Sequence, residues 1–559
     1  MQESGADIVV KYLKAEGVEH LFGLIGSAIL DLMDSVARES AIKYVPVQHE
    51  QAAVYMADGY ARVTGRPGIC TATVGPGATN VVGGIAQAFV ESSPVIALLG
   101  DISTQHYGKG SSNFHEVEQL GIFKPITKLA VRVERTDRIV EIMRQAFRVA
   151  TTGRKGPVYV GLPRDVQRNR IDEVTIPPVE EYRPTGVVRG DEEQIGRAAD
   201  LLLQARRPVI IAGGGIRWSK ARDSIIQMAE LLRAPIVTTV KGVVPDEHPQ
   251  CLGPIGTEGH PAAMEAIQQA DVIVAFACTF SQVATASYGN KVIPAGAKII
   301  HVDIDPAEIG KSYAVKVGIV GDAGSVARDL LNELSGRAAS ANEEWEQYFK
   351  RSKEAWEREM AVMASSDEIP ITRMRLFGDL RKVLDKDAIL AAEAGSTHGW
   401  FMFGYPLSEP LLEPGDYSIM GSAFCMALAA KIARPEKQVV SVVGDGAFML
   451  VVQELATAVA QNIPVVTVVC HNSIYSNMRK KQHMHFNDRF IGTELYIPDM
   501  ANVARSFGAY GERVEKPEEI IPALQRALKC GKPAVLDVLI DSSFEGLDPP
   551  NKLRVPDRY

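Results

Sequence analysis

Short, unbroken apolar runs alternate along this chain with stretches whose apolar positions recur every three or four residues, the pattern left by buried parallel strands joined by helices. In the first third, residues 44–47, 68–74, 95–99 and 158–162 predict strands, and 51–62 and 136–150 predict helices. A Pro-rich polar passage at 176–184 reads as a linker. A second alternation brings strands at 208–212, 272–277 and 298–304 and fades after Asp322, and the charged stretch 343–364 predicts a connecting helix. The last alternation predicts a strand at 439–443, one helix over 447–461 carried by Leu450, Leu455 and Val459, and a strand at 465–470. The predicted fold class is α/β, with three doubly wound parallel-sheet domains at 1–175, 190–335 and 365–541 and an irregular C-terminal tail at 542–559.

Composition narrows the function classes. At 559 residues the chain has room for about three domains of ordinary size. A net charge of −8 without a sustained basic block argues against nucleic acid as a partner. No apolar run approaches the length of a membrane span, and the polar residues 1–7 do not resemble a secretory leader. Six cysteines lie far apart with no Cys-x-x-Cys spacing, as expected of a reduced, cytoplasmic enzyme acting on small molecules.

Candidate chemistry gathers at the ends of two predicted strands. Gly444-Asp445-Gly446 closes the strand at 439–443, and Asn472 closes the next one, 27 residues after Asp445. A right-handed crossover makes those strands parallel, so Asp445 and Asn472 emerge at one carboxyl edge, where open α/β sheets bind ligands. A carboxylate and an amide oxygen are hard ligands suited to Mg²⁺, whose octahedral shell is completed by phosphate oxygens and water. Gly444 and Gly446 let a diphosphate approach the backbone where Ala447 opens a helix, and the amino end of a helix favours anions.

This segment resembles the thiamine diphosphate (ThDP) binding motif of the superfamily that contains acetolactate synthase, pyruvate oxidase and pyruvate decarboxylase. The resemblance implies that Asp445 and Asn472 bind Mg²⁺ through their side chains and Ile474 through its carbonyl. Most relatives carry two Asn in succession where this chain has Asn472-Ser473. The likeness extends to Glu50, in Val47-Gln48-His49-Glu50-Gln51-Ala52-Ala53, and to Gly75-Pro76-Gly77-Ala78-Thr79-Asn80. On chemistry alone Glu50 reads as an acid in a helix's first turn. The resemblance makes it the carboxylate that hydrogen-bonds ring nitrogen N1′ and promotes loss of the cofactor's C2 proton, with Gly77 and Asn80 nearby in the cofactor site. Gly75 to Gly77 is not a dinucleotide fingerprint, because Asn80 stands where the third glycine belongs. By the same resemblance Met420 bends the cofactor from beneath, and Gly395-Ser396-Thr397-His398 forms the other diphosphate loop. Relatives assemble the two cofactor halves across a subunit interface, so the resemblance implies a homodimer or homotetramer.

The reaction implied is decarboxylation of a 2-oxo acid of the pyruvate class and transfer of the resulting acyl carbanion to an acceptor. Over nearly its full length the chain looks most like acetolactate synthase catalytic subunits, including His301-Val302-Asp303-Ile304-Asp305-Pro306 and Gly321-Asp322-Ala323. Three departures keep other readings open. His115 stands where synthases usually place Gln near the substrate, which makes it a candidate catalytic residue. Phe280-Ser281-Gln282 replaces the Arg-Phe-Asp-Asp-Arg of flavin-binding relatives, which leaves FAD, ADP or CoA open for the central domain. Gly23-Leu24-Ile25-Gly26-Ser27-Ala28 and the stretch from Arg479 to Leu495 are similar to sulfoacetaldehyde acetyltransferase, and Arg479, Lys480 and Lys481 are either an anion receiver or a solvated basic face. His483 and His485 read as surface residues. A 2-hydroxyacyl-CoA lyase or oxalyl-CoA decarboxylase, with Asp303 or Asp305 on a ribose, is a further alternative. A catalytically silent regulatory protein on this fold is the non-enzymatic one, against which intact Glu50, Asp445 and Asn472 speak.

Overall fold

The chain forms three fully parallel sheets in a computed structural model that describes residues 2–184, 186–337, 342–544 and 546. The first sheet has the spatial order Lys43–Pro46, His20–Gly23, Gly68–Ala72, Val95–Asp101, Val158–Pro163, Leu129–Arg132. The second runs Cys251–Pro254, Ile236–Thr238, Pro208–Ala212, Val272–Phe276, Lys298–Asp303, Val317–Val320. The third runs Ile389–Ala392, Val439–Gly444, Val466–His471, Ala534–Leu539, Tyr510–Val514.

The unbroken apolar runs have a direct cause. Successive strand residues point to opposite faces, and helices cover both faces, so neither set can be polar. Ile69, Ile96 and Leu98 enter one core of the first sheet, while Cys70, Ala97 and Leu99 enter the other. In the third sheet Val440 and Val442 face one core and Val439 and Val443 the second.

That second core is shared between the first and third sheets. Helix Ser422–Ala433 lies along helix Glu50–Thr64, and their apolar residues belong to one continuous cluster. The approach is close at Gly59, where a Cβ would fall 2.7 Å from the Met426 Cα, so only glycine fits. The first and third domains are therefore packed against each other within one chain.

Two expectations need correction. The single helix expected over 447–461 is two short ones, Asp445–Phe448 and Glu454–Ala460, joined by turns. The buried stripe is Val451, Leu455 and Ala458, while Leu450 is 53 % exposed, so counting Leu450 as core suggested a continuous helix that does not exist. The first domain also includes an antiparallel pair, Gln2–Ser4 with Arg170–Asp172, too short to show a period in the sequence. The expected linker at 176–184 contains only the single turn Val179–Glu181, and the charged connection is the long helix Glu343–Met363. Most of the expected tail, 545 and 547–559, lies outside the described residues. No helix among the described residues is long and apolar enough to cross a membrane.

Candidate active site

Strands Val439–Gly444 and Val466–His471 pair in parallel with Gly444 opposite Cys470, which brings Asp445 and Asn472 to the same edge. Asp445 is 2 % exposed, and its carboxylate collects three backbone N–H groups: Gly446 at 2.7 Å, Asn472 at 2.9 Å and Ser473 at 2.6 Å. Burial pushes its pKa up and these three donors pull it back, so the side chain is held rigidly in one orientation. Asn472 donates its amide N–H to Ser476 at 3.0 Å, which leaves its carbonyl oxygen as the available ligand atom. Ile474 is fixed from both sides, because Leu495 N–H bonds to Ser473 C=O at 2.8 Å and Tyr475 N–H to Thr493 C=O at 2.9 Å.

A relay missed in the sequence braces this turn. Asp537, fully buried, accepts from His471 Nδ1 at 2.7 Å, and His471 Nε2 meets Ser473 Oγ at 3.1 Å. Ser473 itself sits at φ 56°, a left-handed conformation that its neighbours must stabilise. The Ser473 departure from the usual second Asn thus has a partner, His471, two residues upstream.

Room for a diphosphate lies where two adjacent strands end, Ile389–Ala392 beside Val439–Gly444. Gly395 and Gly444 both face open space, with nothing within 4 Å of a Cβ built at either. Helix Ser396–Gly404 begins at Ser396, whose buried hydroxyl has no hydrogen-bond partner, and Thr397 is also buried. An anion at that helix start would satisfy the orphan hydroxyl and the free backbone N–H groups of the first turn. Between this loop and Met420 lies Glu393, unforeseen in the sequence and fully buried. Its carboxylate accepts N–H from Ala394 at 3.1 Å, Gly421 at 3.1 Å and Ala423 at 3.2 Å, and burial raises its pKa to about 7. Glu393 thereby ties the Gly395 loop to the half-buried Met420, with Gly421 in a left-handed conformation at φ 93°.

Glu50 opens helix Glu50–Thr64, with His49 as its cap. Glu50 is 7 % exposed, and Asn80 Nδ2 donates to its Oε2 at 2.9 Å, the carboxylate's only hydrogen-bond donor among the described residues. A Cβ at Gly77 would lie 3.2 Å from Oε1 and 2.9 Å from Thr73 Cγ2, so the glycine keeps that oxygen uncovered. His115 flanks the same loop: its carbonyl sits 2.3 Å from where a Gly75 Cβ would be, its backbone is at φ 65°, and its buried Nδ1 has no partner. Glu50, Gly77, Asn80 and His115 thus form one group, and Asp445, Gly446, Ala447, Asn472 and Ile474 another. No hydrogen bond among the described residues joins Glu50 directly to Asp445 or Asn472.

His398 takes a different position from the rest of its loop. Its Nδ1 pairs with Glu258 at 2.8 Å and its Nε2 with Glu413, so both nitrogens are engaged by carboxylates and neither is left for a phosphate. The pair faces a cavity of about 460 Å³ where all three domains meet, also lined by Arg217, Asp303 and Asp322. Burial works against the imidazolium, but Glu258 and Glu413 outweigh it and raise the pKa to about 10. Because the folded value lies above the ordinary imidazole value of 6.5, the stabilisation is complete below pH 6.5 and is lost as pH rises towards 10. The stability difference between the native chain and His398→Gln is expected to shrink steadily over that interval, as measured by denaturant unfolding at successive pH values. A constant difference would contradict the charged bridge.

The basic stretch after Asn472 is more committed than its sequence suggests. Arg479 pairs with Glu494 at 2.9 Å and stacks over Phe490 at 4.3 Å. His483 bonds to Asp488 at 2.5 Å and stacks on Phe544 at 4.0 Å between ring centroids. Among the described residues no group of three or more His, Cys, Asp or Glu side chains is placed to hold a metal. A cation at Asp445 would therefore depend on the diphosphate for the rest of its shell.

Comparison with known proteins finds matches along nearly the whole chain. Residues 3–122 match the family described as thiamine pyrophosphate enzyme, N-terminal TPP binding domain, residues 195–330 its central domain and residues 393–538 its C-terminal TPP binding domain. The probable acetolactate synthase large subunit of Methanocaldococcus jannaschii is 38 % identical over 556 residues, covering 96 % of this chain and 92 % of that protein. The acetolactate synthase large subunit of Haemophilus influenzae is 33 % identical over 97 % of this chain and 95 % of its own length. The acetolactate synthase isozyme 3 large subunit of Escherichia coli is also 33 % identical, with the same coverage.

Proposed function

The chain belongs to the thiamine pyrophosphate enzyme family, and from that premise we propose that it decarboxylates pyruvate or a close 2-oxo acid and joins the acyl fragment to a second carbonyl compound, as an acetolactate synthase does. The observation that carries the reading is the coexistence, in a chain similar to synthases over nearly its full length, of a buried Glu50 whose Oε1 carries no hydrogen bond among the described residues and the Asp445, Asn472 and Ile474 turn. When bound, ThDP supplies the electron sink that makes decarboxylation possible.

The residues divide the remaining work. Asp445, Asn472 and the Ile474 carbonyl hold Mg²⁺ against the diphosphate, and Gly395, Ser396, Thr397, Gly444, Gly446 and Ala447 seat its oxygens. Glu50, steadied by Asn80, holds a proton at its uncovered Oε1 for the aminopyrimidine ring, a general acid–base role. Met420 supports the cofactor from below, and His115, which flanks the Gly75 loop, is the proposed contact for a substrate carboxylate or carbonyl. A site divided between a group around Glu50 and a group around Asp445 is completed by a second copy of the chain, as a homodimer or a pair of dimers. The central cavity is of the size that accepts small molecules, roughly 300–1,000 Å³, and a nucleotide of the FAD, ADP or CoA kind is its proposed occupant. Phe280, buried against His301, contributes packing there rather than charge.

The test is product analysis. The holoprotein with Mg²⁺ and pyruvate is expected to release carbon dioxide and acetolactate, identified by mass spectrometry, and any nucleotide freed by denaturation is identified in the same run. Acetyl phosphate made only from sulfoacetaldehyde and phosphate would overturn the proposal in favour of acetyl transfer.

A further inference from the structure

Glu454 begins helix Glu454–Ala460, nine residues beyond Asp445, and is fully buried. Its contacts reach across to the first domain. Oε1 accepts the backbone N–H groups of Gln48 and His49, both at 3.0 Å, and Oε2 accepts Gln48 N–H at 3.1 Å and the Thr457 hydroxyl at 2.7 Å. A carboxylate removed from water is costly unless donors surround it, and here two of its three donor residues, Gln48 and His49, immediately precede Glu50.

Those donors decide where Glu50 stands. Strand Lys43–Pro46 ends and helix Glu50–Thr64 begins within three intervening residues. Val47 N–H is bound to the Gly23 carbonyl at 3.0 Å, in continuation of the sheet. The next two N–H groups point away from the sheet and end on Glu454. His49 in turn caps the helix, its Nδ1 accepting Gln51 N–H at 3.2 Å. The first turn of the Glu50 helix is thus anchored to the sheet on one side and to a carboxylate of the third domain on the other.

We propose that Glu454 is a positioning residue for Glu50, fixing the backbone turn that aims its carboxylate at the cofactor's pyrimidine ring. The inference rests on the reading of Glu50 as that carboxylate. Catalytic groups displaced by about 1 Å lose on the order of 10²-fold in rate, so the effect of releasing this turn is measurable.

The experiment compares Glu454→Ala, Glu454→Gln and Glu50→Gln with the native chain. In the protein without cofactor, Glu454→Ala is expected to speed hydrogen exchange of the Gln48 and His49 amides. In the complex with ThDP and Mg²⁺, exchange of the cofactor's C2 proton is expected to fall by about 10²-fold, while cofactor affinity stays close to native because the diphosphate end is untouched. Glu454→Gln keeps an Oε1 acceptor for both amides and is expected to recover most of the rate, which a loss of general stability would not explain. Should the alanine variant not fold, Glu454→Asp withdraws the carboxylate by one methylene and is read in the same way. A native C2 exchange rate in Glu454→Ala or Glu454→Asp, alongside a collapsed rate in Glu50→Gln, would overturn the proposal. A native rate in Glu50→Gln would instead remove the reading on which it rests.

Discussion

Glu50→Gln is expected to slow exchange of the ThDP C2 proton by about 10²- to 10⁴-fold, the range for loss of a positioned acid–base group, while cofactor binding changes little. The geometry separates the two effects. Asn80 occupies Oε2, and the amide oxygen of Gln can keep that hydrogen bond at 2.9 Å. The other position, uncovered because Gly77 carries no side chain, then presents an NH₂ group instead of Oε1. An amide can still donate to a ring nitrogen but cannot pass a proton to and fro. Quenched-flow NMR of the bound cofactor reads the exchange rate, and calorimetry reads the affinity. An exchange rate within a factor of a few of native would remove Glu50 from the mechanism.

Parts of this site were legible in the sequence for a physical reason. Asp445, Asn472 and Glu50 each lie where a strand ends and a turn or helix begins, so a few consecutive residues specify both the backbone path and the chemistry. Asn80 could be expected near Glu50 because its Gly-Pro-Gly turn follows the next strand in the same sheet. What escaped was long-range. Glu454 meets Gln48 over 406 positions of chain, and His398 meets Glu258 over 140. Glu393, Glu413 and Asp537 look like ordinary acids on the page, and only the folded chain reveals that each is buried among donors. The broken helix after Asp445 has a similar origin: Leu450 satisfies the 3.6-residue period yet points to solvent, and a single chain's periodicity does not tell which apolar residue is exposed. The three domains were legible because burial of both sheet faces writes itself into the sequence as unbroken apolar runs.

Asp445→Asn is expected to lower the affinity for ThDP with Mg²⁺ by at least about 100-fold, or roughly 2.8 kcal/mol at 1.4 kcal/mol per tenfold. The size follows from how little else the chain offers the ion. Asp445 is the one carboxylate in its expected ligand set, beside an amide oxygen and a backbone carbonyl, and no cluster of three acidic, His or Cys side chains is available among the described residues. Asparagine preserves the shape and one acceptor oxygen but removes the charge, and its NH₂ group faces backbone N–H donors at Gly446, Asn472 or Ser473 that now hold Asp445 at 2.6–2.9 Å. Each such donor left without a partner costs about 1–3 kcal/mol, so the turn itself is expected to loosen and carry Ile474 with it. The same logic predicts that Mg²⁺ alone binds the native chain weakly and that ThDP alone does so as well, with tight binding only for the pair, because each completes the other's contacts. Titrations with Mg²⁺, ThDP and both, by calorimetry on the native chain and on the variant, distinguish these outcomes. Tight binding of the pair by Asp445→Asn would mean that the diphosphate is held by the Ser396 helix start and not through a metal at Asp445.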